Sequence, residues 1–285
     1  MIHQEDYLQR AIFKDPAREA EFRKNGYVKI PFFNADELQQ AIELCNKLDG
    51  GFNTSFTTTI WSENATYRKT VYNELKKIYT KPVSQVLKDC KLVMATILHK
   101  HPAEDSAIDI HQDWAFTNEQ KYTAVNIWVP LIDTNLQNGA LHFLPYSHLF
   151  KVPYRGRHIN PQFILVKNKI WELGKFCMAR AGEAIIFNVQ MIHYSLPNTT
   201  AITRTATAMV AIPTEAPILH YINYEPEKNQ LVEMEVDEIF YNSFAHNDHI
   251  PISAQSKKIE FIRQQLDMES FLKEYLDLCN NATQL

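Results

Sequence analysis

Ile108-Asp109-Ile110-His111-Gln112-Asp113-Trp114-Ala115-Phe116 reads as a short β-strand with apolar and polar residues interleaved. Successive side chains on a strand point to opposite faces, so His111 and Asp113 are expected to project from one side. An imidazole and a carboxylate then converge. A metal would need a third ligand, and the candidate is His193, late in the run Ala184-Ile185-Ile186-Phe187-Asn188-Val189-Gln190-Met191-Ile192-His193-Tyr194-Ser195. Two histidines and one carboxylate on one face leave the opposite coordination positions open, the pattern of non-haem Fe(II) sites.

His-x-acid is a cheap pattern. With 11 His and 33 acidic residues in 285 positions, roughly one match is expected by chance. There are three: His3-Gln4-Glu5 near the terminus, His246-Asn247-Asp248 in a polar segment, and His111-Gln112-Asp113. Only the last combines a strand pattern with a later histidine at the end of a second strand. Downstream, Arg204 opens another strand-like run, Arg204-Thr205-Ala206-Thr207-Ala208-Met209-Val210-Ala211-Ile212, bounded by Pro213. A guanidinium beside a metal site is costly unless paired, and its planar fork suits a carboxylate. An anionic co-substrate reaching from metal to Arg204 would supply that pair; otherwise Arg204 is an ordinary arginine at a strand start.

Several blocks in order now carry a resemblance. His111-Gln112-Asp113-Trp114, Val125-Asn126-Ile127-Trp128-Val129-Pro130-Leu131-Ile132-Asp133, Asn138 through His148, Ala181-Gly182-Glu183-Ala184, and His193 through Arg204 resemble the phytanoyl-CoA hydroxylase-like branch of the Fe(II)/2-oxoglutarate dioxygenases, with a weaker echo at Asn25-Gly26-Tyr27-Val28. The resemblance implies a double-stranded β-helix, a jelly-roll relative of the cupins: mainly β, buttressed by N-terminal and C-terminal helices. It also implies Fe(II) on His111, Asp113 and His193, with 2-oxoglutarate and O2 as co-substrates. The far carboxylate of 2-oxoglutarate would meet Arg204, assisted by the Ser195 hydroxyl. Asp113 fills the position that a small residue takes in related halogenases, which favours hydroxylation. The chain departs from the family at Tyr146, where a glycine usually precedes Ser-His, and the backbone of that turn is therefore in question.

The two-residue period puts Asn126 and Trp128 on one strand face and Val125, Ile127 and Val129 on the other. Asn126 and Trp128 are thus candidates for lining the co-substrate pocket, against a plain core tryptophan. Asn138-Gly139 reads as a hairpin turn.

The rest of the chain supplies scaffold. Asp15-Pro16 is a cap and first turn of a helix stopped by Gly26, followed by the strand Tyr27 to Ile30. Asn34 with Glu37 marks a second helix start, carried by Leu38, Ala41, Ile42, Cys45 and Leu48 until Gly50-Gly51. Gly51 to Thr70 lacks a sustained period and is expected to be a long loop or an irregular strand region, offered as part of a lid. Val71 to Leu87 reads as helix interrupted by Pro82, and Leu92 to Leu98 as a buried strand. No helical period appears from there to Ile212. Ser147 to Arg180 is an excursion whose Arg155, Arg157 and His158 are either an anion-binding cluster or a solvated loop. Leu219 to Tyr224 and Leu231 to Val236 look strand-like, and Lys257 to Leu266 and Glu269 to Cys279 helical, the last pair suited to packing or a homodimer contact.

These readings give one domain over 1–285: a core of about 90–213, N-terminal helices and lid over 1–89, and a C-terminal extension over 214–285. A formal charge of −4 without a Lys/Arg block argues against nucleic acid. Four dispersed cysteines, no signal-like block at Met1 to Asp6 and no long apolar run lead to the expectation of a soluble cytoplasmic protein with no membrane association. The expected partner is a small molecule: an amino acid, a natural-product intermediate or an acyl thioester. Two other readings remain at this point. His99-Lys100-His101 with Glu104 resembles half a cupin metal motif, to be completed by His142 or His193, although Pro102 ends the strand and the preceding glycine is missing. A non-catalytic jelly-roll binding protein is the other.

Overall fold

The computed structural model describes residues 10–48, 54–150, 152–244, 248–253, 255–262 and 265–282. In chain order the elements are α1 (Pro16–Asn25), β1 (Tyr27–Pro31), α2 (Ala35–Lys47), β2 (Phe56–Thr58), α3 (Ala65–Val86), β3 (Cys90–Lys100), β4 (Ile108–His111), β5 (Val125–Pro130), β6 (Leu141–Phe143), α4 (Lys167–Leu173), β7 (Lys175–Cys177), β8 (Glu183–Asn188), β9 (His193–Ser195), β10 (Arg204–Pro213), β11 (Leu219–Ile222), β12 (Gln230–Glu235), α5 (Phe240–Ser243), β13 (Lys257–Glu260) and α6 (Met268–Ala282).

The N-terminal helices start where their caps dictate. The Asp15 carboxylate accepts from the Ala17 N–H, and Gly26 closes α1 at a φ of 80°, which a glycine adopts without a Cβ clash. Asn34 and Glu37 form a reciprocal capping box on α2. Helix α3 begins six residues before the expected Val71, because the Asn64 side chain accepts from the Tyr67 N–H at 3.0 Å. Pro82 lies inside α3 without interrupting it. Val71, Leu75, Tyr79 and Val83 recur four apart and are all buried against the sheet, and this packing outweighs the missing N–H of one proline.

Two antiparallel sheets form the double-stranded β-helix. The six-stranded sheet runs β1-β8-β5-β10-β3-β2 and the four-stranded sheet β4-β9-β6-β7. Alternation sorts the residues of the larger sheet. Val125, Ile127, Val129, Ala184, Ile186, Met209 and Ala211 turn toward α2 and α3. Trp128, Ile185, Phe187, Ala206 and Ala208 instead meet Leu141, Phe143 and Cys177 of the smaller sheet. Behind the smaller sheet, Ile110 and Tyr194 pack in one cluster with Phe150, Phe163 and the α6 residues Phe271 and Tyr275. The apolar side of α6 is thus used within the chain.

Several expectations are corrected here. Within 51–70, residues 51–53 lie outside the described residues; of the two expectations the strand region holds at Phe56–Thr58, an edge strand on β3, followed by a short turn over Thr59–Trp61 and the unexpected start of α3. Asn138-Gly139 is a turn, but β5 and β6 belong to different sheets, so the chain crosses between sheets there and makes no hairpin. The excursion 147–180 contains the short helix α4. Lys257 to Glu260, expected as helix, pairs with β12 in a third sheet, β11-β12-β13, where Ile259 sits opposite Leu231. A cross-strand partner decided that segment, and its own sequence does not reveal it. Tyr146 adopts a φ of 60°, the left-handed backbone that the unusual residue at this turn had put in question. No helix among the described residues is long and apolar enough to cross a membrane.

Lys100, the last residue of β3, is fully buried. Its amine donates to the Ser106 carbonyl and, at 2.9 Å, to the Leu196 carbonyl, joining the segment that enters β4 to the one that leaves β9. Asn198 completes the tie, with its amide on the Lys100 carbonyl at 2.8 Å and its backbone N–H on the Ser106 hydroxyl at 2.9 Å. Burial, and then the Arg204 guanidinium, pull the Lys100 amine down to about 6, from 10.5 in an open chain. An uncharged amine has two hydrogens, and the two carbonyls accept them.

Between those values the unfolded chain holds a proton that the folded chain lacks, so stability should rise with pH by about 1.4 kcal/mol per unit from this group. In urea unfolding at pH 6.5 to 8.5, the stability of the wild type should therefore gain steadily on that of Lys100→Met. A pH-independent difference between the two would contradict an uncharged Lys100.

Candidate metal centre

β4 and β9 are antiparallel neighbours, and their register sets His111 directly opposite His193. The two rings tilt against each other with centroids 4.1 Å apart. Each imidazole is fixed in the same way: Nδ1 of His111 meets the Asp109 carbonyl at 2.8 Å, and Nδ1 of His193 meets the Met191 carbonyl at 3.0 Å. A carbonyl only accepts, so both Nδ1 atoms carry the proton and both Nε2 lone pairs are left to ligate. Burial, followed by the neighbouring His111, holds the His193 imidazole down at about 4, neutral at physiological pH.

Asp113 lies just past the end of β4, which is shorter than expected, yet its carboxylate still converges on the histidines. Oδ1 is 4.0 Å from Nε2 of His111 and 3.9 Å from Nε2 of His193. Oδ2 accepts from the Asn126 amide at 2.8 Å, which orients the carboxylate so that the other oxygen faces the imidazoles. One donor atom from each of the three residues lies within 4.8 Å of the others, the one such cluster among the described residues. Two neutral nitrogens and one carboxylate oxygen suit a ferrous ion, with positions left over for a bidentate ligand and a gas.

The backbone of Asp113 is held from below. Arg155 donates Nε to the Asp113 carbonyl at 2.7 Å, and its fork closes on Glu119 at 2.6 and 2.7 Å. Both partners are buried, 6% and 3% exposed, and a third bond at 2.6 Å runs to the Val152 carbonyl. The preceding residue is held too, as the Gln112 side-chain amide donates to the Gln190 carbonyl at 2.6 Å. Of the cluster Arg155, Arg157 and His158, the two arginines are buried and engaged within the chain, whereas His158 is exposed. Arg155 is consumed by Glu119, and Arg157 is buried with its guanidinium on the Asp248 carbonyl. Sequence reading did not find Glu119, because its partner is 36 residues away and neither position breaks a local pattern.

Arg204 opens β10 beside Lys100 and is 2% exposed. Its guanidinium carbon sits 5.3 Å from the centroid of the Trp128 ring, a cation–π contact. Its Nε is buried without a hydrogen-bond partner, and no carboxylate pairs with it among the described residues. Desolvation lowers it to about 10, so it stays charged at neutral pH. A buried cation in this state lacks an anion. A free carboxylate entering the cavity would supply one, and the two carboxylates of 2-oxoglutarate fit a site with a metal at one place and an arginine at another.

His111, Asp113, His193, Arg204, Ser195, Asn126 and Trp128 all line one cavity of about 600 Å³. The cupin-like set is not assembled: His99 turns its Nδ1 to the Thr205 hydroxyl and His101 to that of Thr203, each at 3.0 Å, and neither joins the cluster. His142 stacks on Tyr194 with centroids 4.8 Å apart. Of the other His-x-acid matches, His3-Gln4-Glu5 and His246 lie outside the described residues.

Comparisons with known proteins agree with this architecture. The family described as Phytanoyl-CoA dioxygenase (PhyH) matches residues 22–206. A phytanoyl-CoA dioxygenase domain-containing protein 1 homolog of Dictyostelium discoideum is 28% identical over 137 residues, 45% of this chain; the match spans 46% of that relative, about half its length. A probable alpha-ketoglutarate-dependent hypophosphite dioxygenase of Stutzerimonas stutzeri is 24% identical over 219 residues, covering 66% of this chain and 74% of that one. Among solved structures, HygX of Streptomyces hygroscopicus with nickel, 2-oxoglutarate and hygromycin B bound superposes with a TM-score of 0.51 at 16% identity, over 70% of this chain and 88% of the other. The non-haem alpha-ketoglutarate-dependent epimerase SnoN superposes with a TM-score of 0.50 at 22% identity, over 72% and 86%. At such identities the superpositions speak to the fold.

Arg155→Met should leave the Glu119 carboxylate buried and unpaired, and cost about 3–5 kcal/mol in urea unfolding. Pairing it with Glu119→Leu should recover most of that loss. A single-variant loss under about 1 kcal/mol would contradict the buried pair.

Proposed function

We propose, from the premise that this chain belongs to the phytanoyl-CoA dioxygenase family of iron- and 2-oxoglutarate-dependent dioxygenases, that it hydroxylates an unactivated C–H bond of a small molecule. In this reading His111, Asp113 and His193 hold Fe(II). The observation that carries it is the convergence of two Nε2 atoms and one carboxylate oxygen, with both Nδ1 atoms already committed to carbonyls. Iron bound there supplies the activation of O2 coupled to decarboxylation of 2-oxoglutarate. The balance is closed: one oxygen atom enters succinate, the other is inserted into the C–H bond, and CO2 leaves.

The chain's own side chains have separable tasks. Arg204 binds the far carboxylate of 2-oxoglutarate, and the buried Ser195 hydroxyl lies in the same cavity to add a hydrogen bond. Trp128 packs against the guanidinium and limits its orientations. Asn126 holds Asp113 so that the same oxygen always faces the histidines. The larger sheet behind them excludes water, which strengthens each charged contact. Asp113 fills the third ligand position, and this supports oxygen insertion over halide transfer.

Purified protein given Fe(II), 2-oxoglutarate and air should release succinate, slowly without substrate. Asp113→Ala should reduce that release by about two orders of magnitude or more, since a lone pair of histidines holds iron weakly. Arg204→Met should raise the KM for 2-oxoglutarate at least about thirtyfold, the equivalent of losing about 2 kcal/mol from a buried charge pair. Unchanged succinate release by Asp113→Ala would sink the proposal.

A further inference from the structure

The cavity before the triad has an inner end and an outer part. The inner end is marked by burial, with His193, Ser195 and Arg204 buried and the half-buried His111 and Asp113 gathered against His193. The outer part is walled by Ile60 and Trp61 after β2, Tyr154 and Ile159 from the excursion between β6 and β7, and Phe261 after β13. Trp61 remains 45% exposed, a large ring left uncovered although its burial would be favourable. It does not swing free: Phe56 meets it edge-on with centroids 5.6 Å apart. A fixed, uncovered aromatic at a cavity wall is a surface for an apolar ligand.

Charge limits what that ligand is. Apart from the two histidines, the charged side chains lining the cavity among the described residues are Asp109, Asp113, Arg155 and Arg204. Asp109 is paired with Lys167 and accepts from the Ile110 N–H. Arg155 spends its fork on Glu119 and its Nε on the Asp113 carbonyl. Asp113 and Arg204 are taken by the metal and by 2-oxoglutarate. Among the described residues no cation is left for a substrate carboxylate or phosphate, and no anion for an ammonium group. An ion carried into such a cavity would be buried without a partner, which is strongly unfavourable. The wall does offer neutral polar groups in the amides of Asn160 and Gln162, suited to hydroxyl or carbonyl oxygens.

We infer that the substrate of this site is an uncharged molecule with an apolar ring or chain system and only neutral polar substituents. The inference rests on the dioxygenase reading above, which assigns Arg204 to 2-oxoglutarate. Free amino acids are excluded from the cavity, as is the phosphorylated part of an acyl-CoA thioester.

The test uses the protein with Mn(II) and saturating 2-oxoglutarate, without oxygen, titrated with matched probes while tryptophan fluorescence is read. The sets are 2-naphthalenemethanol against 2-naphthoate, and 1-dodecanol against dodecanoate and dodecanoyl-CoA. At least one alcohol should bind tenfold or more tighter than its carboxylate, dodecanoyl-CoA should bind no tighter than dodecanol, and the quench should shrink in Trp61→Phe. Carboxylates binding as tightly as alcohols, no saturable binding of either alcohol, or an undiminished quench in Trp61→Phe would each overturn the inference. Calorimetry of 2-oxoglutarate binding to the same Mn(II) protein is run separately. Its failure would count against the dioxygenase reading, whereas the order of the probes reports on the cavity wall.

Discussion

The pairing of β4 with β9 that sets His111 opposite His193 is the constraint on which the site depends. Side chains alternate along a strand, so a slip of one residue would turn an imidazole into the apolar cluster and bring a residue such as Ile192 into the cavity. Several contacts hold the register from outside the pair. Ile110, Ile192 and Tyr194 are packed under α6 and the excursion that follows β6. Lys100 and Asn198 tie the segments before β4 and after β9. Arg155 and Gln112 pin the two residues that follow β4. The geometry of three ligating atoms is thus distributed over contacts that are themselves remote from any metal.

Buried positive charge divides the site by function. Arg155 has an acid, two carbonyls and a closed fork, which is how a structural guanidinium is satisfied. Arg204 has an aromatic face, an unpartnered Nε and no acid. Lys100, between them in kind, sheds its proton and keeps its hydrogen bonds. Of these three side chains, Arg204 alone has neither an acid nor a carbonyl partner among the described residues, and it faces the same cavity as the triad. Pairing therefore separates an arginine left without an acid from a scaffold arginine where residue type does not.

Much of this was legible in the sequence where the controlling interactions are local. Asp15 with Gly26, and Asn34 with Glu37, bound α1 and α2 through hydrogen bonds spanning a few residues. The alternation Val125 to Val129 separated the pocket face from the helix-covered face, because the period of a strand needs no knowledge of its neighbours. Tyr146, where the family usually carries a glycine, put the backbone of its turn in question, and the residue there is left-handed. The grouping of His111, Asp113 and His193 was legible through context, since only this one of three His-x-acid matches has a strand pattern and a later histidine at the end of a second strand. What escaped was set by partners distant in sequence. Glu119 gains its role from Arg155, and Lys257 to Glu260 become a strand through β12. The first turns of α3 were hidden by Thr66 and Tyr67, poor helix formers that its cap and tertiary packing override.

The most direct measurement is a crystal structure grown without oxygen in Mn(II) and 2-oxoglutarate, with the metal located by anomalous scattering. The account predicts one metal bonded to Nε2 of His111, Nε2 of His193 and Oδ1 of Asp113, and the far carboxylate of 2-oxoglutarate on the Arg204 guanidinium. A metal bound elsewhere, such as beside His99 and His101, or an Arg204 that no carboxylate meets, would contradict it.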